Sequence, residues 1–396
     1  MRHLRLHHSL QTKPTSKTFP VYLGVLFVSF HYFIFVYINS SFLSQFLQDS
    51  WIGYVYIAGS IVNITILLNA HRILRRYGNF KLLITLIALE FVALLTLAHT
   101  VYAPIAIIAF IAQHALNPAI VYCLDVILDS YSNQNEQGRN RGLFLTIINT
   151  PPIIATVITG YILHDHNFGD LYTLASLFLI PLAFIVISQF RTFKDPSYKR
   201  VEVRKVFTRL TSHKAIRNIL IDNVVLQIFY SIMTIYLPLY LQRVVGFSLS
   251  EIALMFSIML IPFVILEYPV GRISDERYGE KELLIGGFIL MGIAISTIGW
   301  MDTHSWIIWT MMLVASRIGA AVVEIATESY FFKQVKPTDA DIIGVFRMSH
   351  AVAFILTPLI GAVVLLYVPL QNMFIIGASI IFIVGLRYAF DLRDTR

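Results

Sequence analysis

Apolar residues run through this chain in long stretches, separated by short polar segments rich in Lys and Arg. A helix needs about 20 predominantly apolar residues to cross a hydrocarbon layer. Twelve stretches qualify, near 19–43, 52–70, 82–99, 104–128, 142–163 and 170–190, then 219–242, 249–271, 282–300, 305–331, 343–366 and 370–390. The polarity pattern therefore predicts an all-α integral membrane protein with twelve transmembrane helices.

Composition agrees with the pattern. Hydrophobic residues make up 57% of the 396 and charged residues 13%, with a mean hydropathy of +0.71. A soluble domain carries roughly 25% charged residues, so this chain is solvated mainly by lipid. The single cysteine, Cys123, excludes a disulfide framework and a multi-cysteine metal site.

The formal charge of +7 would fit a nucleic-acid partner if it formed a patch, but its placement argues otherwise. Of 30 Lys and Arg, all but Arg243, Arg317 and Arg347 fall in the termini and in loops on one side of the twelve spans. Positive loops stay in the cytoplasm, so both termini are expected there. The basic N-terminus precedes an apolar run too long for a signal peptide, so the first helix is expected to be retained. No nucleic-acid partner is expected. The largest basic segment is central. Within 196–217, Val203, Phe207, Leu210 and Lys214 recur at helical spacing, which predicts an amphipathic helix on the anionic inner leaflet, the alternative being a basic linker. It divides the chain into 1–195, 196–217 and 218–396.

The two flanking segments read as copies. Asp125-Val-Ile-Leu-Asp129-Ser130-Tyr131 aligns with Glu324-Ile-Ala-Thr-Glu328-Ser329-Tyr330, and Arg75-Arg76-Tyr77-Gly78 aligns with Glu276-Arg277-Tyr278-Gly279. Both pairs lie about two hundred residues apart, half the chain, as in transporters built from repeats.

The second loop copy, Gly271-Arg-Ile-Ser-Asp275-Glu-Arg277-Tyr278-Gly279, resembles the loop signature Gly-x-Leu-x-Asp-Arg-x-Gly-Arg-Arg of the major facilitator superfamily, with one extra residue before its second glycine. Twelve spans, a 6 + 6 repeat and a basic central loop extend the resemblance over the whole chain. The first copy departs from it: Ala70 or His71 stands where Gly is expected and Arg75 where Asp is expected. The resemblance implies two six-helix bundles, helices 1, 4, 7 and 10 lining a central cavity, and a small solute moved by alternating access. The family's exporter signature on helix 5 is not evident in 150–160.

Gly271 would let a helix end pack closely and Gly279 would supply the positive φ of a tight turn. Asp275 is free to cap a helix N-terminus. The resemblance implies that it locks a cytoplasmic gate, with the start of helix 5 and Arg139 or Arg141 as candidate partners. Asp125/Asp129 and Glu324/Glu328 are i,i+4 pairs, so each shares a helix face. They are read as gate or bundle-locking groups engaging Arg141 or Arg347, with proton coupling as the alternative.

The candidate substrate-binding residues lie near mid-membrane: His31 on helix 1, His114 and Asn117 on helix 4, Gln227 and Tyr230 on helix 7 and Arg317 on helix 10. Polar groups at that depth face a cavity or a partner. Arg317 points to an anionic solute, unless it bridges permanently to Glu324 or Glu90. No metal spacing, phosphate-cradling loop or Ser-His-Asp frame is present, so no enzyme, metal or cofactor is expected. The expected protein is a monomeric secondary transporter of the plasma (inner) membrane, with protons as the expected coupling ion. The alternative is a transport-inactive receptor or interaction protein that retains the fold.

Overall fold

The computed structural model describes residues 18–131, 144, 146–165, 168–196, 208, 212–276, 279–334 and 340–393. Arg141 and most of the central segment 196–217 lie outside the described residues, as do the side chains of Asp129 and Asp275. The helices in chain order are α1 (Phe19–Phe33), α2 (Asn39–Leu43), α3 (Asp49–Tyr77), α4 (Asn79–His99), α5 (Ala103–Tyr131), α6 (Pro151–Ile162), α7 (Phe168–Leu177) and α8 (Leu179–Phe190). They continue as α9 (Lys214–Tyr240), α10 (Leu249–Met259), α11 (Ile261–Glu276), α12 (Glu280–Ile298), α13 (Trp306–Gln334), α14 (Ala340–Val364), α15 (Asn372–Ile380) and α16 (Leu386–Phe390).

Among the described residues, 10 helical stretches are long and apolar enough to cross a membrane, and two shorter apolar helices, Phe19–Phe33 and Thr146–Ile162, accompany them. The first predicted run is not one continuous helix. After α1 the chain turns through 34–38 and resumes as the short α2. The run at 142–163 bends at Thr150, ahead of Pro151 and Pro152. A proline removes a backbone donor and clashes with the preceding turn, so helices break or restart there. Pro262 does the same at Leu260, dividing α10 from α11. At the start of α10, Ser248 and Glu251 form a capping box: Glu251 N donates to Ser248 Oγ (3.3 Å) and Ser248 N to Glu251 Oε2 (2.8 Å).

The ends of the helices that meet the Lys- and Arg-rich loops define a basic face. The two loop copies on that face differ in a way opposite to the sequence expectation. Gly279 has φ −71°, ordinary extended backbone, whereas Gly78 has φ +78°. The positive φ thus belongs to the first copy, not the second. The first loop also obtains a carboxylate from elsewhere. Asp195, beyond α8, accepts from Asn79 N at 2.8 Å and so caps α4, while Asn79 Nδ2 donates to the Cys123 carbonyl at 3.0 Å. In the second copy Glu280, buried at the start of α12, accepts from Ser329 Oγ at 3.1 Å and pairs with Lys333. Each loop is thereby tied to its own half of the chain.

Packing between neighbouring helices is close where small residues permit it. At the α12–α13 crossing a Cβ on Gly319 would lie 2.8 Å from the Gly287 carbonyl oxygen, so only glycine allows this approach. Contacts across the two halves cluster toward the face opposite the basic one. There α3 packs on α14 and α6 on α10. Ser257 Oγ donates to the Ile153 carbonyl at 2.6 Å, and the Tyr37 ring meets Phe256 edge-on at 5.0 Å. At the extreme, Arg243 pairs with Asp49 and reaches the Ser44 carbonyl at 3.5 Å. The one basic residue of the loops on that side is therefore a latch between the halves.

Candidate functional site

Where the halves meet, a cavity of about 160 Å³ opens between α1 and its following turn, Asn149 and Pro152, and α9, α11, α13 and α14. Six aromatic rings stand in its wall: Tyr32, Phe33, Tyr37, Tyr230, Phe263 and Phe354. Arg317, Glu324 and His350 supply its ionisable groups. A larger cavity of about 330 Å³ lies at the other face among Tyr240, Trp300, Asp302, His304 and Gln371. It is lined by the second half alone and its Asp302 and His304 are exposed. The smaller one spans both halves and encloses a buried charge, which makes it the candidate site.

Arg317 is 2% exposed, yet its Nε and Nη2 have no hydrogen-bond partner. Its guanidinium lies over the Phe229 ring at 5.2 Å and the Tyr230 ring at 5.5 Å. Stacking between rings partly offsets the cost of burying the cation and leaves its donors free for a planar anion. One turn-pair along the same helix face, Glu324 accepts from Tyr230 Oη at 2.6 Å. The i,i+4 neighbour Glu328 has a different surrounding. Arg347 donates to it in bidentate fashion, Nη1 to Oε1 at 2.6 Å and Nη2 to Oε2 at 3.3 Å. The duplicated acids of the second half are thus split, one in the cavity wall and one in an ion pair within that half. Asp125 is half-buried near the basic end of α5, and Gly271 lies in the last turns of α11.

Of the six candidate substrate residues, Tyr230 and Arg317 line the cavity. Gln227 stands behind it, its Oε1 3.2 Å from Nδ1 of the lining residue His350. His31 does not line it. His31 Nδ1 donates to the Ala175 carbonyl (3.2 Å) and Nε2 faces Glu90 Oε1 at 3.1 Å, with both side chains fully buried. This answers the sequence question about Glu90: its partner is His31, not Arg317. His114 does not line the cavity either: Nε2 is 3.2 Å from Ser60 Oγ, and its ring is stacked on Phe110 and lies behind the lining residue Phe354, at 5.5 Å. Asn117 is buried nearby with Oδ1 unpartnered.

Several groups were not singled out from the sequence: Tyr37 and His350 in the cavity, and Asp222 on α9, buried with neither oxygen partnered. For Asp222 a signal existed, an acid inside an apolar span four residues after Asn218. For Tyr37 and His350 the assembled fold was needed.

The family model for the Major Facilitator Superfamily matches residues 21–250 and again 223–396. No curated protein sequence matches. Solved structures do. A point mutant of the nucleoside transporter NupG superposes with a TM-score of 0.74 at 12% identity, covering 96% of this chain and 100% of that one. The peptide transporter POT in complex with sulfate gives 0.73 at 12% identity, covering 97% and 94%. A POT mutant in complex with alafosfalin gives 0.73 at 13%, covering 97% and 95%. At such identities the likeness is one of fold.

Proposed function

The chain belongs to the Major Facilitator Superfamily of multi-pass membrane transporters, and from that premise we propose that it moves a small anionic solute by alternating access. The observation that carries the reading is Arg317: a cation buried between the two halves, with two donor nitrogens, Nε and Nη2, that have no hydrogen-bond acceptor among the described residues. Removing a charge from water without a partner costs several kcal/mol, roughly 2.5–3.5 kcal/mol for Arg at mid-bilayer on insertion scales. A carboxylate or phosphate oxygen pair would satisfy the guanidinium fork. The aromatic wall would hold the solute's apolar body. A cavity of about 160 Å³ is below the roughly 300–1,000 Å³ of drug-sized sites, so a small solute fits best.

In this reading the twelve predicted spans form two six-helix bundles, here 1–195 and 218–396, joined by 196–217. The basic face is cytoplasmic. The Asp49–Arg243 latch and the Ser257–Ile153 contact close the outer side in this state. Opening requires them to part while an inner gate closes, for which Asp275, Asp129, Asp125 and Arg141 are the candidate groups. Protons are the coupling ion this reading favours, because Glu324 stands beside Arg317 in the same wall.

Cavity access tests the proposal. A cysteine at Val36, in a background where the buried Cys123 is replaced by Ala, is exposed to a membrane-impermeant maleimide from each side of oriented proteoliposomes. Labelling from the basic side in the parent, with new labelling from the other side in Arg243→Gln, is the expected result. One-sided labelling that no latch variant changes would mean a static scaffold.

A further inference from the structure

The larger cavity, about 330 Å³ and on the face opposite the basic one, shares no lining residue with the solute site. Its walls come from three places: the end of α9 with the turn that follows, the connection 299–304 between α12 and α13, and Gln371 just before α15. Local forces fix each wall. Leu241–Val245 is wound as a π-helical turn, closed by Gly246 N donating to the Leu241 carbonyl at 3.0 Å with Gly246 at φ +91°. Such turns are frequent at functional sites. Trp309 Nε1 donates to the Thr303 carbonyl at 2.8 Å and pins the connection from α13. Gly299 lies so close to α15 that a Cβ would stand 2.7 Å from Ile375 Cγ1. The Tyr240 ring packs on Trp309 and Phe374, with centroids at 6.0 and 5.1 Å.

The lining has a sign. Asp302 is its one carboxylate, and no Lys or Arg stands in it. Trp300, 77% exposed, and Tyr240 supply aromatic rings, and Thr303, His304 and Gln371 add polar atoms. The nearest cation along the chain, Arg243, is turned to the other half, where it pairs with Asp49. One carboxylate and two rings in a wall without Lys or Arg suit a positive ligand. The carboxylate offers a charge-assisted hydrogen bond and the rings a cation–π contact. An anion would meet Asp302 with no Lys or Arg to balance it. The volume is at the low end of small-molecule sites, roughly 300–1,000 Å³, which leaves room for a small organic cation.

We propose that this cavity is a second ligand site, which takes a small organic ammonium ion, free or as a lipid headgroup, and that its occupancy is coupled to the Asp49–Arg243 latch. The coupling follows from the chain itself. Tyr240 and Val244 line the cavity, and Arg243 lies between them in the π-helical turn. A ligand that braces this turn favours the position from which Arg243 reaches Asp49, and the latch favours the ligand by the same factor. The site stands without the transporter reading, on which only the consequence of the latch rests.

Isothermal titration calorimetry on the full-length protein in phosphatidylglycerol nanodiscs, a lipid without an ammonium group, tests the site. The probes are choline and ethanolamine, and the control is the uncharged isostere of choline with carbon in place of nitrogen. At least one ammonium probe is expected to bind, and the isostere to bind about tenfold more weakly or not at all. Asp302 is exposed, so Asp302→Asn should keep the thermal midpoint while weakening the ammonium probe about tenfold, the scale of a hydrogen bond to a charged group. Asp302→Glu should keep most of the affinity. Arg317→Met should bind like wild type, which keeps this test apart from that of the solute site. Repeating the titration in phosphatidylcholine nanodiscs separates the two sources. Weaker binding there marks the headgroup as occupant and equal binding marks a free amine, and both support the ammonium reading. No binding of either probe at millimolar concentration, equal binding of the isostere, or full affinity in Asp302→Asn would overturn the site. Arg243→Gln is expected to bind about two- to fivefold more weakly, the range an exposed ion pair allows. Unchanged affinity in that variant would overturn the coupling.

Discussion

The two halves of this chain bury ionic groups on opposite terms. In the first half His31 and Glu90 sit at zero exposure and are spent on each other, with Ala175 fixing the imidazole from a third helix. In the second half Arg317 and Asp222 are as deeply buried, yet neither has an ion-pair partner among the described residues, whereas Glu90 leaves only Oε2 unpartnered. A closed pair holds helices together, and breaking it strands a charge. An unpaired group, held like Arg317 by ring contacts alone, leaves polar atoms open to an arriving partner. On the proposed reading the second half supplies the ionisable groups of the cavity and the first half part of its wall, although the two segments share one repeated sequence pattern.

The sharpest way to break that contrast is to remove one member of the closed pair. Glu90→Ala is expected to cost about 3–5 kcal/mol, as does stranding one partner of other buried pairs, and should appear as a large fall in thermal midpoint that the double variant with His31→Ala partly restores. A fall no larger than that of a surface substitution would show that the first half is not held this way. Next in size is Tyr230→Phe, which strips the hydroxyl donor from Glu324. Leaving a half-buried acceptor short of one donor costs about 1 kcal/mol, read as a lower midpoint with any bound solute absent.

The loop copies allow a paired comparison of similar size. Gly78→Ala forces a side chain into the left-handed region, at a cost of about 1–2 kcal/mol, and its Cβ would meet Asp195 Oδ2 at 2.8 Å. Gly279→Ala, at φ −71°, is expected to cost under about 1 kcal/mol, the penalty of a poorer N-cap. Equal losses would mean that the two loops have the same conformation after all. Smallest is the latch. Arg243 and Asp49 are 40% and 29% exposed, so Arg243→Gln should change stability by only about 0.2–1 kcal/mol, enough to shift state populations in the Val36 labelling without unfolding the protein.

Much of the fold was legible because hydropathy and charge act locally. Span length and composition announced an all-helical integral membrane protein before any contact was known. The site was legible only in part. Tyr230 and Arg317 were identified by depth and do line the cavity. His31 and His114 satisfy the same depth criterion but are taken up by Glu90 and Ser60, 59 and 54 residues away in sequence. Depth tells that a polar group needs a partner, not whether the partner is protein or solute. The loop signature misled in a similar way. Gly279 matched the motif, but the conformation that motif demands belongs to Gly78, where Asp195 restores from beyond α8 the carboxylate that Arg75 displaced.

The central claim is that Arg317 awaits an anion. Thermal-shift measurements on purified wild type and Arg317→Met across a panel of small carboxylates and organic phosphates test it directly, because a ligand that binds the folded state raises its midpoint by mass action. The account predicts that at least one aromatic or apolar monoanion raises the wild-type midpoint and leaves Arg317→Met unmoved, with the unliganded variant no less stable than wild type. An anion that stabilises both proteins equally, or a variant that unfolds far earlier on its own, would contradict it.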